Sequence, residues 1–216
     1  MIAVVDLGIG NLNSVRWALE RAGATVEVTR DPARIEAAEG IVIPGVGNFR
    51  AGSERLHTEG LDACLARAVL RVPTLGICLG MQLLLDGSQE GGVGLGILPG
   101  RVERLVVEGM PLPHMGWNQV DVRHAAGLLA RLGPGEAYFC HSYAAYPTDP
   151  MRAAATTTYG SPFVSAVAVG QIVGVQFHPE KSGRYGARLL NLFVEEVTGC
   201  SSASPRSTWP EAASSA

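Results

Sequence analysis

Gly76-Ile77-Cys78-Leu79-Gly80 places a cysteine between an apolar run like a buried strand (VPTLGI) and one with helical spacing (LGMQLLL). Glycines at −2 and +2 let a strand turn sharply into a helix and push the residue between them outward, as in the G-x-S-x-G elbow of hydrolases. A thiol at a helix N-terminus also feels the positive end of the dipole, which favours thiolate. The N–H of Leu79 would point where an oxyanion forms. On these residues alone a buried structural cysteine fits almost as well. A second group, a hundred residues on, shifts the balance. The strand-like QIVGVQF runs into His178, Pro179 and Glu180. In extended chain, residues i and i+2 face the same side, so Glu180 can accept the ring N–H of His178 and leave the other nitrogen as a base. Pro179 cannot continue a ladder, which puts the pair at a strand end. A third group, Pro44-Gly45-Val46-Gly47-Asn48-Phe49, closes another strand. Its glycines allow a tightly turned backbone whose N–H groups can complete an oxyanion hole.

These groups need a frame that brings three strand ends together. IAVVD, TVEVT and GIVIP have the pattern of strands, with a helix over NLNSVRWALERAG stopped by Gly23. A helix is expected from about Gly52 to Leu70, followed by the strand and helix around Cys78. The alternation predicts an α/β fold: a doubly wound, mainly parallel sheet flanked by helices, with a smaller antiparallel region over about 91–170. SGRYGARLLNLFVEEV closes the pattern as an amphipathic helix. In such a sheet Cys78 and His178 both lie beyond the carboxyl ends of their strands, on one edge. Residues 1–199 are expected to form the domain, and 200–216, small and polar without period, a disordered tail.

The 216 residues suffice for one full core, and 47% apolar with 17% charged residues excludes bulk disorder. A net charge of −3 offers no broad basic surface, against nucleic-acid binding. No run approaches the ~18 apolar residues of a membrane span, and the N-terminus lacks a signal-peptide pattern. The expectation is a soluble, cytoplasmic protein with reduced thiols. Cys64, Cys78, Cys140 and Cys200 include no C-x-x-C pair, and no histidine is spaced to complete a metal site. Gly8-Ile9-Gly10 after a strand hints at a dinucleotide turn, but Asn13 stands at the third glycine position, and a tight turn capped by an Asn fits better.

In this order the three groups resemble the class I, triad-type glutamine amidotransferases. Within that family GNLNSV (10–15), PGVGNF (44–49), GLGILPGRV (94–102), PHMGWN (113–118), YFCHSY (138–143) and FHPEKSG (177–183) are similar to the glutaminase subunits of imidazole glycerol phosphate synthases. The resemblance implies hydrolysis of L-glutamine with Cys78 as nucleophile, His178 as acid/base and Glu180 as its orienter. It implies an oxyanion hole from Leu79 and the Gly45-Val46-Gly47 loop, and a substrate pocket lined by Gln82, His141, Ser142 and Tyr143. No cofactor or metal is implied. The implied partner is a (β/α)8-barrel cyclase subunit that consumes the ammonia, docked as a heterodimer near Asn11, Trp117, Asn118 and Lys181. Val93 stands where many relatives carry an acidic residue, which leaves Glu90 to meet the substrate's amino end. His57, His114 and His124 have no partner at catalytic spacing and are expected at the surface or an interface. A glutaminase of another pathway, or a silent docking module of the same fold, remains open at this point.

Overall fold

The structure is a computed structural model that describes residues 1–123 and 127–199. The first half runs β1 (Ile2–Val5), α1 (Leu12–Arg21), β2 (Val26–Thr29), α2 (Pro32–Glu36), β3 (Gly40–Gly45), α3 (Phe49–Thr58), α4 (Asp62–Ala68), β4 (Thr74–Cys78) and α5 (Leu79–Gln82). The second runs β5 (Leu85–Ser88), β6 (Leu98–Arg104), β7 (His114–Val122), α6 (Gly127–Leu132), β8 (Gly135–His141), β9 (Tyr143–Pro147), β10 (Ala153–Tyr159), β11 (Ser161–Val169), β12 (Ile172–Val175) and α7 (Gly183–Thr198).

Five strands, in the order β2-β1-β3-β4-β12, pair in parallel. The sheet continues antiparallel through β11, β10, β7 and β8, with β9, β6 and β5 branching from β11. Because side chains alternate along a strand, each parallel strand feeds both faces: Ile2 and Val4 join Leu19, Leu189 and Phe193 on one, and Ala3 and Val5 join Ile35, Phe49, Leu56 and Leu65 on the other. Helices α1 and α7 thus cover one face and α2 to α5 the opposite one, as expected of a doubly wound sheet.

One short helix carried no sequence expectation, and two local expectations are corrected. The five-residue α2 is too short for apolar periodicity to signal; its mark is Asp31, whose side chain accepts from Ala33 N at 2.9 Å, with Pro32 in the first turn. The single helix expected from Gly52 to Leu70 is two, parted at Gly60, whose φ of 65° no helix accommodates. The helix after Cys78 lasts only four residues. Leu95 N and Ile97 N donate to the Leu83 and Leu84 carbonyls at 2.8 and 3.0 Å, taking the acceptors a longer helix would use, and Leu85–Ser88 pairs with β6 instead. The disordered tail expected over 200–216, with Cys200, and the surface role of His124 lie outside the described residues. Among the described residues no helix is long and apolar enough to cross a membrane.

Candidate active site

Register brings the three sequence groups to one edge of the sheet. Gly45 at the end of β3 is the partner of Cys78 at the end of β4, and Val175 of β12 is the partner of Ile77. Cys78 has φ 53° and ψ −108°, the single non-glycine at positive φ among the described residues. Such a conformation costs roughly 1–3 kcal/mol and persists only where the surroundings impose it. The flanking glycines are what allow it. A Cβ on Gly76 would come within 2.8 Å of Met81 N, and one on Gly80 would be driven into the Ile43 carbonyl oxygen. With only one turn of helix behind it, the thiol has little of the helix dipole that the sequence suggested.

His178 and Glu180 are both almost fully buried, and Nδ1 lies 2.9 Å from Glu180 Oε1. They do not meet along extended chain. Residues Pro179–Lys181 form a 3-10 turn, with His178 itself extended before it. The turn is clamped from two sides: His178 N donates to Tyr138 O at 2.9 Å, and Ser182 Oγ donates to His178 O at 2.6 Å while accepting from Tyr138 N at 2.9 Å. With Nδ1 taken by Glu180, the other ring nitrogen is left for the Cys78 thiol, whose interaction with the ring helps to raise the His178 pKa. Burial alone would pull the His178 pKa down, but Cys78 and Glu180 outweigh it and push it up to about 10. Both partners therefore favour a proton on the imidazole, which makes His178 a strong acceptor for the thiol proton.

A cleft beside Cys78 is lined by Gly47, Gln82, Glu90, Cys140, His141, Ser142 and Tyr143. Gly45 lies against Leu79, where an added Cβ would come within 3.0 Å of the leucine Cβ, and Val46 beyond it is 41% exposed. Gly47 turns the loop at φ 106°. Glu90 is tied to the end of this loop, its two carboxylate oxygens accepting from Asn48 Nδ2 at 2.6 Å and Phe49 N at 2.9 Å. Val93 is 60% exposed and does not line the cleft.

Gln82 Nε2 donates to Tyr143 O and to Gln176 Oε1, both at 3.0 Å. His141 uses Nδ1 on Tyr143 O at 2.9 Å and Nε2 on His114 Nδ1 at 3.1 Å. His114 is thus no surface residue: it is buried, stacked on Phe139 and Tyr159, and is the register partner of His141 across β7 and β8. Desolvation holds His114 near a pKa of about 4 and His141 near about 3, so both are neutral. His57 lies exposed near Asp62, as expected. Gln176 is a residue that the sequence reading missed. A polar side chain in an otherwise apolar strand end, two residues before His178, was the signal available.

Trp117 and Asn118, both expected at the docking surface, face opposite sides of β7. Trp117 is 57% exposed and meets the Tyr138 ring edge-on, and Lys181 Nζ sits 5.7 Å from the centre of the same ring. Asn118, next on the strand, points to the opposite side and spends Nδ2 on His114 Nε2 and Thr158 O. Asn11 caps α1, its Oδ1 accepting from Ser14 N at 3.3 Å, which also accounts for the Gly8–Asn13 turn without a nucleotide.

A sequence model of the family "Glutamine amidotransferase class-I" matches residues 3–197. The chain belongs to the class-I glutamine amidotransferase family. It is 47% identical over 206 residues to "Imidazole glycerol phosphate synthase subunit HisH" of Synechococcus sp. (strain JA-2-3B'a(2-13)), covering 93% of this chain and 94% of that protein. It is 49% identical over 193 residues to the protein of the same name from Symbiobacterium thermophilum, covering 88% and 91%. A solved glutamine amidotransferase shares the fold with a TM-score of 0.72 at 20% identity over 91% of this chain and 98% of that one. The Trypanosoma brucei CTPS glutaminase domain does so with a TM-score of 0.67 at 16% identity, covering 94% and 96%.

Proposed function

We propose that the chain is the glutaminase subunit of an imidazole glycerol phosphate synthase, working in the cytoplasm as one half of a heterodimer in histidine biosynthesis. The observation that carries the chemistry is Cys78, held at positive φ within reach of a buried histidine that is itself bonded to a buried carboxylate. His178 takes the thiol proton, and the sulfur attacks the side-chain amide carbon of L-glutamine. The Leu79 amide and the Gly45-Val46-Gly47 loop receive the oxyanion, each donor contributing about 3 kcal/mol to the transition state. Protonated His178 then gives its proton to the departing nitrogen. Ammonia leaves and a glutamyl thioester remains. Neutral again, His178 activates a water that attacks the thioester, and glutamate departs as the Cys78 sulfur is released.

Glu180 keeps His178 in the tautomer that faces the sulfur. In the cleft Gln82, His141, Ser142 and Tyr143 shape the glutamine site, and Glu90 offers a carboxylate to the substrate's ammonium. The 47–49% identity to imidazole glycerol phosphate synthase subunits favours this pathway over other glutaminases. A partner is needed because ammonia freed into water is protonated and lost to synthesis. The exposed Met115 and Trp117, with Lys181 beside them, suit the docking of a (β/α)8-barrel cyclase next to the cleft. The test is glutamine hydrolysis with and without the cyclase and its ligand, followed by mass mapping of the thiol labelled by a glutamine-analogue chloroketone. Cys78→Ala is expected to abolish hydrolysis and labelling while the fold persists. Hydrolysis above about one per cent of the parent, against the orders of magnitude a nucleophile supplies, would refute the assignment.

A further inference from the structure

Gln176 has no solvent exposure, follows β12 directly, and has its backbone N–H fixed on Ser165 O at 2.9 Å. Its side-chain Nε2 lies 3.5 Å from Cys78 Sγ, on the atom that reacts. The orientation of a side-chain amide is settled by the network around it, and here that network is anchored on an atom that can only accept. Tyr143 O receives Gln82 Nε2, so the end of Gln82 facing it is the amide nitrogen. That nitrogen also meets Gln176, which must therefore present its oxygen there and its nitrogen to the sulfur. The other side of Tyr143 O is equally determined. His141 must carry its proton on Nδ1, which makes its Nε2 an acceptor for His114 Nδ1–H, and His114 Nε2 an acceptor for Asn118.

We propose that Gln176 is a further catalytic residue, its side-chain N–H stabilising the Cys78 sulfur as thiolate, with Gln82 and the Tyr143 carbonyl locking its amide in the donating orientation. This rests on Cys78 being the nucleophile. Hydrogen bonds to an ionised acceptor are roughly twice as strong as neutral ones. The contact therefore gains strength when the sulfur is anionic, both before attack and again as the sulfur leaves the thioester. It loses strength while the sulfur is acylated. The sulfur is thus held from two sides, by the His178–Glu180 pair and by Gln176, while Cys140 and Glu90 line the cleft beside it.

The experiment follows alkylation of Cys78 by iodoacetamide on the full chain across pH, with the adduct mapped by mass spectrometry to separate it from the other thiols. Gln176→Met keeps length and burial but donates nothing. It is expected to slow alkylation about tenfold at about pH 6, with the difference closing at about pH 10 where any thiol is ionised. A Gln176→Met profile that overlays the parent overturns the proposal. So does a uniform slowing at every pH, the mark of a packing effect. Should Gln176→Met lose cooperative unfolding, Gln176→Asn, which keeps the amide but draws its nitrogen back from the sulfur, is read by the same comparison of low and high pH. The readout uses neither glutamine nor a partner. Its failure leaves the glutaminase reading intact, and failed labelling by a glutamine analogue leaves this measurement valid.

Discussion

Acid should charge two histidines that the fold keeps neutral, and the cost can be worked out. His114 and His141 fall from an ordinary 6.5 to about 4 and about 3 in the folded chain because burial disfavours the cation. Their bonds reinforce this: with His141 Nδ1–H on Tyr143 O, a second proton on Nε2 would confront the proton on His114 Nδ1. The unfolded chain therefore binds more protons than the folded one below pH 6.5, and stability falls as pH falls. Between about pH 7 and about pH 4.5 the loss is about 2.5 kcal/mol from His141. His114 adds about half as much, discounted for screening because its neighbours Asn118 and Tyr159 are partly exposed. His178 acts in the other direction. Its pKa is raised to about 10, so its contribution is complete below 6.5 and is lost as pH rises towards 10.

Urea unfolding of the full chain at a series of pH values measures the slope, and long-range proton–nitrogen spectra of the imidazoles read the tautomers directly. Stability should fall progressively below pH 6.5, with both buried rings in the Nδ1–H form down to about pH 5. Stability flat to within about 1 kcal/mol over that interval would refute the reasoning. So would an Nε2–H tautomer at His141, because the orientation deduced for the chain of bonds begins there.

Gly80→Ala should cost about 3 kcal/mol in urea unfolding, since its methyl would be driven into the Ile43 carbonyl of β3; a variant as stable as the parent would mean that the elbow does not depend on that approach. Lys181→Ala should weaken binding of the cyclase about tenfold by calorimetry if the ammonium forms an interfacial ion pair, and an unchanged Kd would leave Lys181 as a solvated side chain over Tyr138.

What the sequence revealed of the site was its local chemistry. Gly76 and Gly80 flanking a cysteine encode the sharp turn, because each clash they avoid lies in the elbow itself or on the neighbouring strand. Pro179 likewise marks the end of β12. Features that depend on distant register were hidden. His114 lacked any partner at catalytic spacing, yet pairing of β7 with β8 sets it opposite His141. Gln176 looked like part of a core strand because its donor and acceptor partners, Gln82 and Cys78, lie 94 and 98 residues earlier. Length misled as well: seven residues with helical spacing after Cys78 became one helical turn, since segment 95–98 captured the carbonyls a helix needs.

Strand β8 reaches both sides of Cys78. Tyr138 and His141 are three residues apart, so their side chains fall on opposite faces of the strand. At Tyr138 the backbone holds His178 through one direct bond and one through Ser182, while the ring carries Trp117 and Lys181 on the open side. His141 sits on the buried side, where its bond to Tyr143 O joins the path through Gln82 and Gln176 to the sulfur. A shift of β8 by a fraction of an ångström would change the bonds at His178 and the anchoring of Gln176 together.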